Sequence, residues 1–271
     1  MTAPSPPLPL ADAVAPLLRT TRFGRALRGY ATVPSTNTLA AGWAAEGAPE
    51  GAVVLAEYQT AGRGRLGRTW DARPGQNLMF STILRPTLPP DRLGLITLAA
   101  SVAVAEAVEA FTAPLVPAIK WPNDLLLEGR KCCGMLLEAS FEAHPGGRAA
   151  VILGIGLNVN QFEFPPALAD RATSLLLAGG RPVPRAPLLA RLLERLEIRY
   201  EALLRDGGAS IRAAYLERLD GLQQPVTLYL ADGSSRTGIL EGITETGALR
   251  LRTPDGPRVF HAGDVTTSPT G

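Results

Sequence analysis

The chain changes character after Gly221, and this change constrains its architecture more than any other feature. Short strands are predicted at residues 224–230, 235–243, 248–253 and 257–263, with turns at Asp232-Gly233, Thr246-Gly247 and Asp255-Gly256. Short strands at regular spacing between such turns are typical of a small β-barrel or sandwich. The sequence therefore predicts a C-terminal β domain over residues 222–271.

The residues before Gly221 predict a larger domain of mixed helices and strands. An alanine-rich, proline-free run from Leu93 to Phe111 predicts a buried helix, and residues 187–219 predict a helical region broken at Gly207 and Gly208. Strands are predicted at residues 28–33, 52–59, 77–86 and 149–160, and residues 77–86 alternate as a strand does. Residues 118–124 predict a strand that runs into a turn, and residues 124–141 predict a hairpin with Gly129 at its tip. We expect a lead-in with a short helix over residues 1–29 and a catalytic or binding domain over residues 30–221.

Composition and cysteine usage exclude several classes of protein. The 271 residues are 46% hydrophobic and 19% charged, which supports a buried core rather than disorder, and the net charge of +2 gives no sign of nucleic-acid binding. Adjacent Cys132 and Cys133 indicate a reducing compartment, and isolated His144 and His261 match no metal site. We expect a cytoplasmic protein with no signal peptide, no stretch apolar enough to span a membrane and no DNA-reading domain before Tyr30.

The chain has only two lysines among its 27 basic residues, and they bracket one short segment. Where arginine replaces lysine almost everywhere, a retained lysine indicates a need for a compact ammonium with rotatable donors. Lys120 and Lys131 flank Asn123 and Asp124, which suggests a site that handles charge. The alternative is a pair of solvated surface lysines, because most lysines are exposed.

A glycine-rich segment matches the GxGxxG pattern but not its required context. Gly62, Gly64 and Gly67 follow a predicted buried strand, as in a dinucleotide-binding turn. That turn must open a helix, yet Pro74 and Gly75 follow almost at once, and no acidic residue lies about twenty positions on. The sequence argues against a Rossmann site.

The same segment carries three arginines and ends in a tryptophan. Arg63, Arg65 and Arg68 offer guanidinium forks that bind phosphate or carboxylate, and the glycines let a loop order around a ligand. An exposed arginine-rich turn without a ligand is the alternative. Three arginines interleaved with glycines before Trp70 favour an anion-binding loop.

Several motifs occur together and in order between residues 30 and 160. They are STN at 35–37, EYQTAGRGRLGRTW at 57–70, KWPNDLLLEGRKCCGMLLE at 120–138 and GIGLNVN at 154–160. In this combination the chain resembles the biotin–protein ligases. The resemblance implies an α+β fold: a mixed β-sheet packed by helices, related to the class II aminoacyl-tRNA synthetases, followed by a small SH3-like β-barrel.

The resemblance also implies a two-step reaction with ATP and biotin as substrates and Mg²⁺ as cofactor. Biotin's carboxylate attacks the α-phosphate to give biotinyl-AMP, and a lysine of a biotin carboxyl carrier protein domain then takes the biotinyl group. The carrier would belong to a biotin-dependent carboxylase. We expect no DNA partner, because the DNA-binding domain of the bifunctional members is not expected here. We also expect no membrane partner, and the resemblance allows either a monomer or a homodimer.

Site residues carry over from the motifs. Lys131 would contact the biotin carboxylate and the α-phosphate, Asp124 would be an acid on the adenylate and Mg²⁺ side, and Arg63, Arg65 and Arg68 would complete the catalytic set. The resemblance implies biotin contacts from Ser35, Thr36, Asn37, Gln59, Gly62, Arg63, Lys131 and Gly134. It implies nucleotide contacts from Arg65, Arg68, Trp70, Lys120, Asn123, Asp124 and Asn158.

Three points qualify this reading. Residues 35–37 also fit a plain helix N-cap, a role compatible with binding. Lys131 is commonly followed by Leu-Ala-Gly, whereas Cys132-Cys133-Gly134 stands here, and two small residues should preserve the packing. The alternatives are a lipoate or octanoate ligase or transferase of the same superfamily and a non-enzymatic phosphate or nucleic-acid binder.

Overall fold

The computed structural model describes residues 9–140 and 150–267, which form two separate β-sheets. The larger sheet has seven strands in the order β1-β2-β3-β7-β6-β5-β4. Its strands are β1 Leu27–Val33, β2 Val53–Gln59, β3 Leu78–Leu84, β4 Ala118–Lys120, β5 Asp124–Leu127, β6 Arg130–Ser140 and β7 Ala150–Leu157. Strands β1 and β2 are parallel and all other neighbours are antiparallel, so the predicted mixed sheet is confirmed.

Helices cover both faces of this sheet. The helices are α1 Pro9–Val14, α2 Thr36–Ala45, α3 Gly94–Thr112, α4 Leu175–Gly179, α5 Arg185–Asp206 and α6 Ala209–Leu216. Helix α2 lies on one face, where Ala40 and Ala44 pack against Ile83 and Ile152. Helix α3 lies on the other and packs against β6 and the long helix α5. The predicted lead-in helix and the break at Gly207 and Gly208 are both confirmed.

Strand β3 differs from its predicted alternation, because all seven of its residues are buried. The strand lies between β2 and β7, with α2 packed on one face and the main apolar core on the other. A central strand covered on both sides carries buried residues at every position. The polar Ser81 and Thr82 in its middle are therefore buried side chains.

The expectation that no stretch is apolar enough to span a membrane was wrong. By length and composition the helical segment Pro90–Thr112 would suffice. In the fold, 67% of its most apolar window is buried inside the protein, as in the core helix of a soluble protein.

The C-terminal residues form the smaller, antiparallel sheet. Its strands are β8 Pro225–Tyr229, β9 Ser235–Ile243, β10 Leu249–Thr253, β11 Gly256–Phe260 and β12 Asp264–Thr267, in the order β11-β10-β9-β8-β12. Four of these strands match the predicted ones, and β12 was missed. The sheet is consistent with an SH3-like barrel, although β11 and β12 remain edges within the described residues.

The predicted hairpin of β5 and β6 is confirmed, and it contains one irregularity. Glu128 and Gly129 both have positive φ, 49° and 74°, as a two-residue hairpin turn requires. The register then shifts, so that Leu125 pairs with Cys133 but Leu126 pairs with Lys131. Cys132 is the extra residue of a β-bulge, which reorients the side chains on either side of it.

Candidate active site

A cavity of about 700 Å³ lies over the face of the larger sheet that carries α2. Strands β6 and β7 form its floor, the glycine-arginine loop and residues 164–172 border it, and β12 of the smaller sheet closes one end. Of the residues expected in the site, the following line it: Ser35, Thr36, Asn37, Gln59, Arg63, Arg65, Arg68, Trp70, Lys120, Asn123, Asp124, Lys131, Gly134 and Asn158. Gly62 is buried beside Gln59 and the Trp70 carbonyl, outside this lining.

One end of the cavity, which we call the neutral end, is lined by Ser35, Thr36, Asn37 and Gln59, with the fully buried Ser81 behind them. The Thr36 backbone N–H and hydroxyl donate to Gln59 Oε1 at 2.7 and 3.1 Å. Ser81 Oγ lies 2.7 Å from Thr36 Oγ1 and 2.6 Å from Asn37 Oδ1. These buried amides and hydroxyls orient one another, because each buried polar group needs a partner.

Ser35 occupies the N-cap position of α2, yet its side chain makes no capping hydrogen bond. Thr36 and Asn37 already belong to the first turn and are about 5% exposed or less. The plain N-cap reading of residues 35–37 therefore accounts for the start of the helix but not for the side chains. The side chains of Thr36 and Asn37 bond to β2, β3 and β6 instead.

The cavity floor is made of glycines on two adjacent strands. A Cβ on Gly154 would lie 2.2 Å from Asn37 Oδ1, and one on Gly156 would lie 2.5 Å from the Trp70 ring. A Cβ on Gly134, the partner of Gly156 across the β6–β7 pair, would lie 3.0 Å from the Trp70 ring and 3.1 Å from Lys131, a tight contact. The shorter separations at Gly154 and Gly156 leave no room for a side chain, so these two positions must be glycine for Asn37 and Trp70 to lie against the floor.

Each arginine of the loop bonds to an acceptor from another part of the chain. Two separations, 2.8 and 3.0 Å, join one Arg63 nitrogen to the two carboxylate oxygens of Glu138. Arg65 donates to Asn123 Oδ1 at 3.2 Å and to the Gly263 carbonyl at 3.4 Å. Burial lowers the pKa of Arg65, an effect that the negative charge of Asp124 opposes.

The opposite end of the cavity, the charged end, consists of Arg65, Arg68, Lys120 and Asp264. Arg68 NH1 lies 2.9 Å from Asp264 Oδ2, and Lys120 Nζ lies 2.8 Å from Asp264 Oδ1. Burial alone would raise the pKa of Asp264, but the hydrogen bonds and charges of Lys120 and Arg68 outweigh it and lower that pKa. Asp264 begins β12, so the smaller sheet contributes a carboxylate to this cavity.

Lys131 lies at the centre of the cavity. Its Nζ is 2.7 Å from Asp124 Oδ1 and 5.7 Å from the centre of the Trp70 ring. Residues three apart in a regular strand face opposite sides, yet Lys131 and Gly134 both face the cavity because the bulge at Cys132 intervenes. The bulge thus places the ammonium over the glycine floor.

The two cysteines beside Lys131 are fully buried and free. Burial raises the pKa of the Cys132 thiol to about 12 and that of Cys133 well above its usual value. Both therefore stay protonated at neutral pH and act as small packing residues. The replacement of the usual Leu-Ala pair adds no nucleophile to the cavity.

Trp70 and Asn158 each carry a buried polar atom without a hydrogen-bond partner among the residues that the structure describes. The atoms are Trp70 Nε1, a donor, and Asn158 Oδ1, an acceptor. The Asn158 amide nitrogen donates to the Thr173 carbonyl at 3.0 Å, which fixes the side chain. A buried unpaired donor and a buried unpaired acceptor in one cavity lining are what a ligand with complementary groups would satisfy.

Sequence reasoning missed several residues of the site. Gly154 and Gly156 had a usable signal, since glycine inside a strand often marks a close approach. Ser81 was hidden in an apolar strand, and Glu138 and Asp264 became visible only once the chain had folded. Asp220 also lines the cavity, and burial raises its pKa although the charge of Lys120 opposes this.

The described residues do not form a protein-built metal site. Across residues 9–140 and 150–267 no group of three or more His, Cys, Asp or Glu could hold a metal ion, and His144 lies outside these ranges. The Asp124 carboxylate already pairs with Lys131. The donor set thus suits at most one carboxylate contact to a Mg²⁺ whose other ligands are phosphates and water.

Comparison with known proteins identifies both parts of the chain. Residues 29–158 match the Biotin/lipoate A/B protein ligase family, and residues 221–266 match the Biotin protein ligase C terminal domain. The bifunctional ligase/repressor BirA of Bacillus spizizenii is 36% identical over 250 residues, 92% of this chain and 76% of that protein. The biotin–[acetyl-CoA-carboxylase] ligase of Mycobacterium tuberculosis is 36% identical over 245 residues, 89% of this chain and 88% of its own.

Comparison of the fold with solved structures agrees with these sequence matches. The structure of the biotin protein ligase from Aquifex aeolicus in complex with biotin and ATP has a TM-score of 0.80 and 29% identity, covering 90% of this chain and all of that one. With both domain matches, this coverage and the observed sheets, the chain belongs to the biotin protein ligase family.

Proposed function

We propose that this cavity joins biotin to ATP and then transfers the biotinyl group to a carrier protein. The activity is that of an ATP-dependent biotin–protein ligase, as for the relatives named above. One observation carries the proposal of how it works: a single cavity has neutral hydrogen-bonding groups at one end, cations at the other and Lys131 between them. This polarity suits a neutral ring at one end, phosphates at the other and two reacting anions in the middle.

The neutral end would bind the ureido ring of biotin. A ureido group presents two N–H donors and a carbonyl acceptor, and the hydroxyls and amides of Ser35, Thr36, Asn37 and Gln59 offer both complements. Ser81 holds Thr36 and Asn37 in place, and Gly154 lets Asn37 approach the sheet. The position of Gly62 behind Gln59 supports a part in shaping this pocket rather than in lining it.

The first step brings together two anions, the biotin carboxylate and the α-phosphate. A carboxylate oxygen attacks Pα, the bond from Pα to the bridging oxygen of the β-phosphate breaks, and pyrophosphate leaves. Lys131 would lie between the two anions, with Arg63 on the biotin side, and would offset charge that grows in the transition state. In this arrangement Asp124 orients the Lys131 ammonium, and it is the one carboxylate suited to contact a nucleotide-bound Mg²⁺.

The charged end would bind the nucleotide phosphates. Arg65, Arg68 and Lys120 converge there, and guanidinium forks and an ammonium are the usual protein ligands of phosphate. Trp70 would present its aromatic face to the adenine, and the buried unpaired atoms Trp70 Nε1 and Asn158 Oδ1 would gain partners if the nucleotide reached them. Asn123 supports Arg65 through its carbonyl oxygen.

In the second step a deprotonated lysine amine of the acceptor attacks the acyl carbon of biotinyl-AMP, the bond from that carbon to the phosphate oxygen breaks, and AMP leaves. We propose that the acceptor is the biotin carboxyl carrier domain of a biotin-dependent carboxylase and that the enzyme works in the cytoplasm. Residues 30–221 would supply the catalytic domain and residues 222–271 the C-terminal domain. We also propose a homodimer, which a measurement of molecular mass in solution would test.

The deciding experiment is exchange of labelled pyrophosphate into ATP. We expect exchange that depends on biotin and not on lipoate, followed by transfer to a carrier domain with one lysine. Exchange that requires lipoate would move the assignment to the lipoate ligases. Absence of exchange with either acid, together with salt-sensitive oligonucleotide binding, would support a non-enzymatic binder instead.

A further inference from the structure

Asp264 is the only carboxylate among the described residues that bridges two of the cations assigned to ATP phosphates. Its two oxygens lie 2.8 Å from Lys120 Nζ and 2.9 Å from Arg68 NH1. Carboxylate and phosphate bind the same cationic donors with similar geometry. Lys120 and Arg68 are thus already paired with an anion that belongs to the protein itself.

We propose that Asp264 is an internal substitute for a nucleotide phosphate, displaced from Lys120 and Arg68 when ATP binds. The proposal rests on the proposed function, which places the phosphates at the charged end. Without nucleotide, Asp264 keeps two cations from repelling each other in a partly buried place. With nucleotide, the phosphates take over both cations and Asp264 turns away.

The position of Asp264 in the fold makes this exchange feasible. It begins β12, a four-residue edge strand that pairs with β8 alone. A short edge strand with few neighbours belongs to the part of a fold that opens most easily. The adjacent Gly263 also accepts a hydrogen bond from Arg65 through its carbonyl, so one short segment meets all three cations of the charged end.

The exchange also links the two sheets of the molecule. Lys120 and Arg68 belong to the larger sheet and its loop, whereas Asp264 belongs to the smaller sheet. A second contact, from Trp121 Nε1 to the Gly247 carbonyl at 3.0 Å, joins the same two parts and involves no charge. Nucleotide binding should therefore loosen β12 while the contact at Trp121 persists.

The test compares ATP and adenosine binding, measured by calorimetry without biotin, in the wild-type chain and in Asp264→Asn. Removing the competing anion should tighten ATP binding about threefold to tenfold, the range expected for losing one or two partly exposed ion pairs. Adenosine has no phosphate, so its affinity should not change. Asp264→Glu, which keeps a carboxylate, should remain close to wild type.

Asp255→Asn is the matched control. It removes the same charge from the exposed turn between β10 and β11, away from the cavity lining, and should leave ATP binding unchanged. Weaker or unchanged ATP binding by Asp264→Asn would overturn the proposal, since the carboxylate would then position the cations or play no part.

A second measurement needs no variant. In the wild-type chain, ATP should speed amide hydrogen exchange of residues 264–267, and adenosine should not; ATP-induced protection there would overturn the displacement. If the wild-type chain shows no biotin-dependent pyrophosphate exchange, the proposed function itself fails. If the chain shows biotin-dependent pyrophosphate exchange, but its ATP affinity or its amide hydrogen exchange changes in the direction opposite to the one expected, only the displacement of Asp264 is wrong.

Discussion

The two ends of the cavity are stabilised in opposite ways. At the neutral end, buried hydroxyls and amides from α2, β2 and β3 bond to one another, and Asn37 also donates to Glu138 of the same sheet. At the charged end, cations from a loop and from β4 pair with an aspartate of the second sheet. A neutral ring can enter a preformed set of partners, whereas a polyanion must exchange partners, so sensitivity to substitution should differ between the ends.

The largest effect should come from Gly154→Ala at the neutral end. Its added Cβ would lie 2.2 Å from Asn37 Oδ1, so Asn37 must leave its place and Ser81 loses its acceptor. We expect biotin affinity to fall by a factor of about 100 or more, since a buried polar network is disrupted and a side chain is displaced. Calorimetric titration with biotin measures this.

Gly179→Ala is the control for that substitution. Gly179 ends α4, and a Cβ there would meet nothing within 4 Å. Both variants should melt cooperatively. Wild-type biotin affinity in Gly154→Ala would show that the neutral end is adaptable, and the comparison of the two ends would lose its basis.

Lys131→Arg tests the centre of the cavity. The Lys131 Nζ pairs with Asp124 at 2.7 Å, and a planar guanidinium cannot reproduce a compact ammonium with rotatable donors between two anions. We expect biotinyl-AMP formation to fall about 100-fold or more, in line with the loss of one well-placed transition-state donor. Single-turnover adenylation is the measurement.

Lys120→Arg is its partner at the charged end. Lys120 faces a partly exposed aspartate that a guanidinium would also satisfy, so this variant should stay within about tenfold of wild type. Equal losses in the two variants would contradict a special role for the ammonium of Lys131. Near-normal adenylation by Lys131→Arg would remove that role altogether.

Ser81→Ala should give an intermediate effect confined to biotin. Without the hydroxyl, the oxygens of Thr36 and Asn37 lose a buried partner, which corresponds to about 1–3 kcal/mol or roughly tenfold to a hundredfold in biotin affinity. The KM for ATP should not change. Thr112→Val, which removes a buried hydroxyl that bonds to backbone carbonyls at and just beyond the end of α3, outside the cavity lining, should leave both constants alone.

The smallest effect is a pH-dependent difference in unfolding free energy between the wild-type chain and Asp264→Asn at the charged end. The pKa of Asp264 is lowered in the folded protein, so its ion pairs add stability above its unfolded pKa, and that stability disappears as pH falls through the folded value. Wild type should exceed Asp264→Asn in unfolding free energy by less than about 1 kcal/mol at pH 6–8, because the pairs are partly exposed. The difference should begin to shrink at about pH 4, where an unfolded aspartate titrates, and should vanish only when pH falls below the lowered pKa of Asp264 in the folded protein. Chemical denaturation at several pH values measures it, and a gap that widens in acid would contradict the assignment.

Much of the fold was predictable because local patterns determine it. The apolar run of α3, the hairpin tip at Gly129 and the glycine turns of the smaller sheet each specify their structure within a few residues. The edge strand β12 was missed because DVTT is too short and polar to signal a strand, and its pairing with β8 joins residues far apart in sequence.

The site was predictable to the extent that its residues lie in compact motifs. The motif residues expected in the site, apart from Gly62, come together in one cavity lining. Two of their partners lie outside every motif: Ser81 is in an apolar strand, and Asp264 is more than a hundred residues from Lys120. Glu138 does end a motif, but nothing in the sequence shows that it pairs with Arg63. Long-range pairs of charges depend on the tertiary fold, which single-sequence patterns do not encode.

The confinement of both lysines to one cavity has a practical chemical consequence. Across the whole sequence, Lys120 and Lys131 carry the only side-chain amines, and each is held in an ion pair with an aspartate. An amine-directed reagent such as an activated ester therefore reports on the reaction centre, apart from a free amino terminus. Surface immobilisation, crosslinking or labelling through lysine would therefore inactivate this protein. The arginines on its surface do not react with acyl-adenylates, so the protein exposes few groups that its own proposed product could modify.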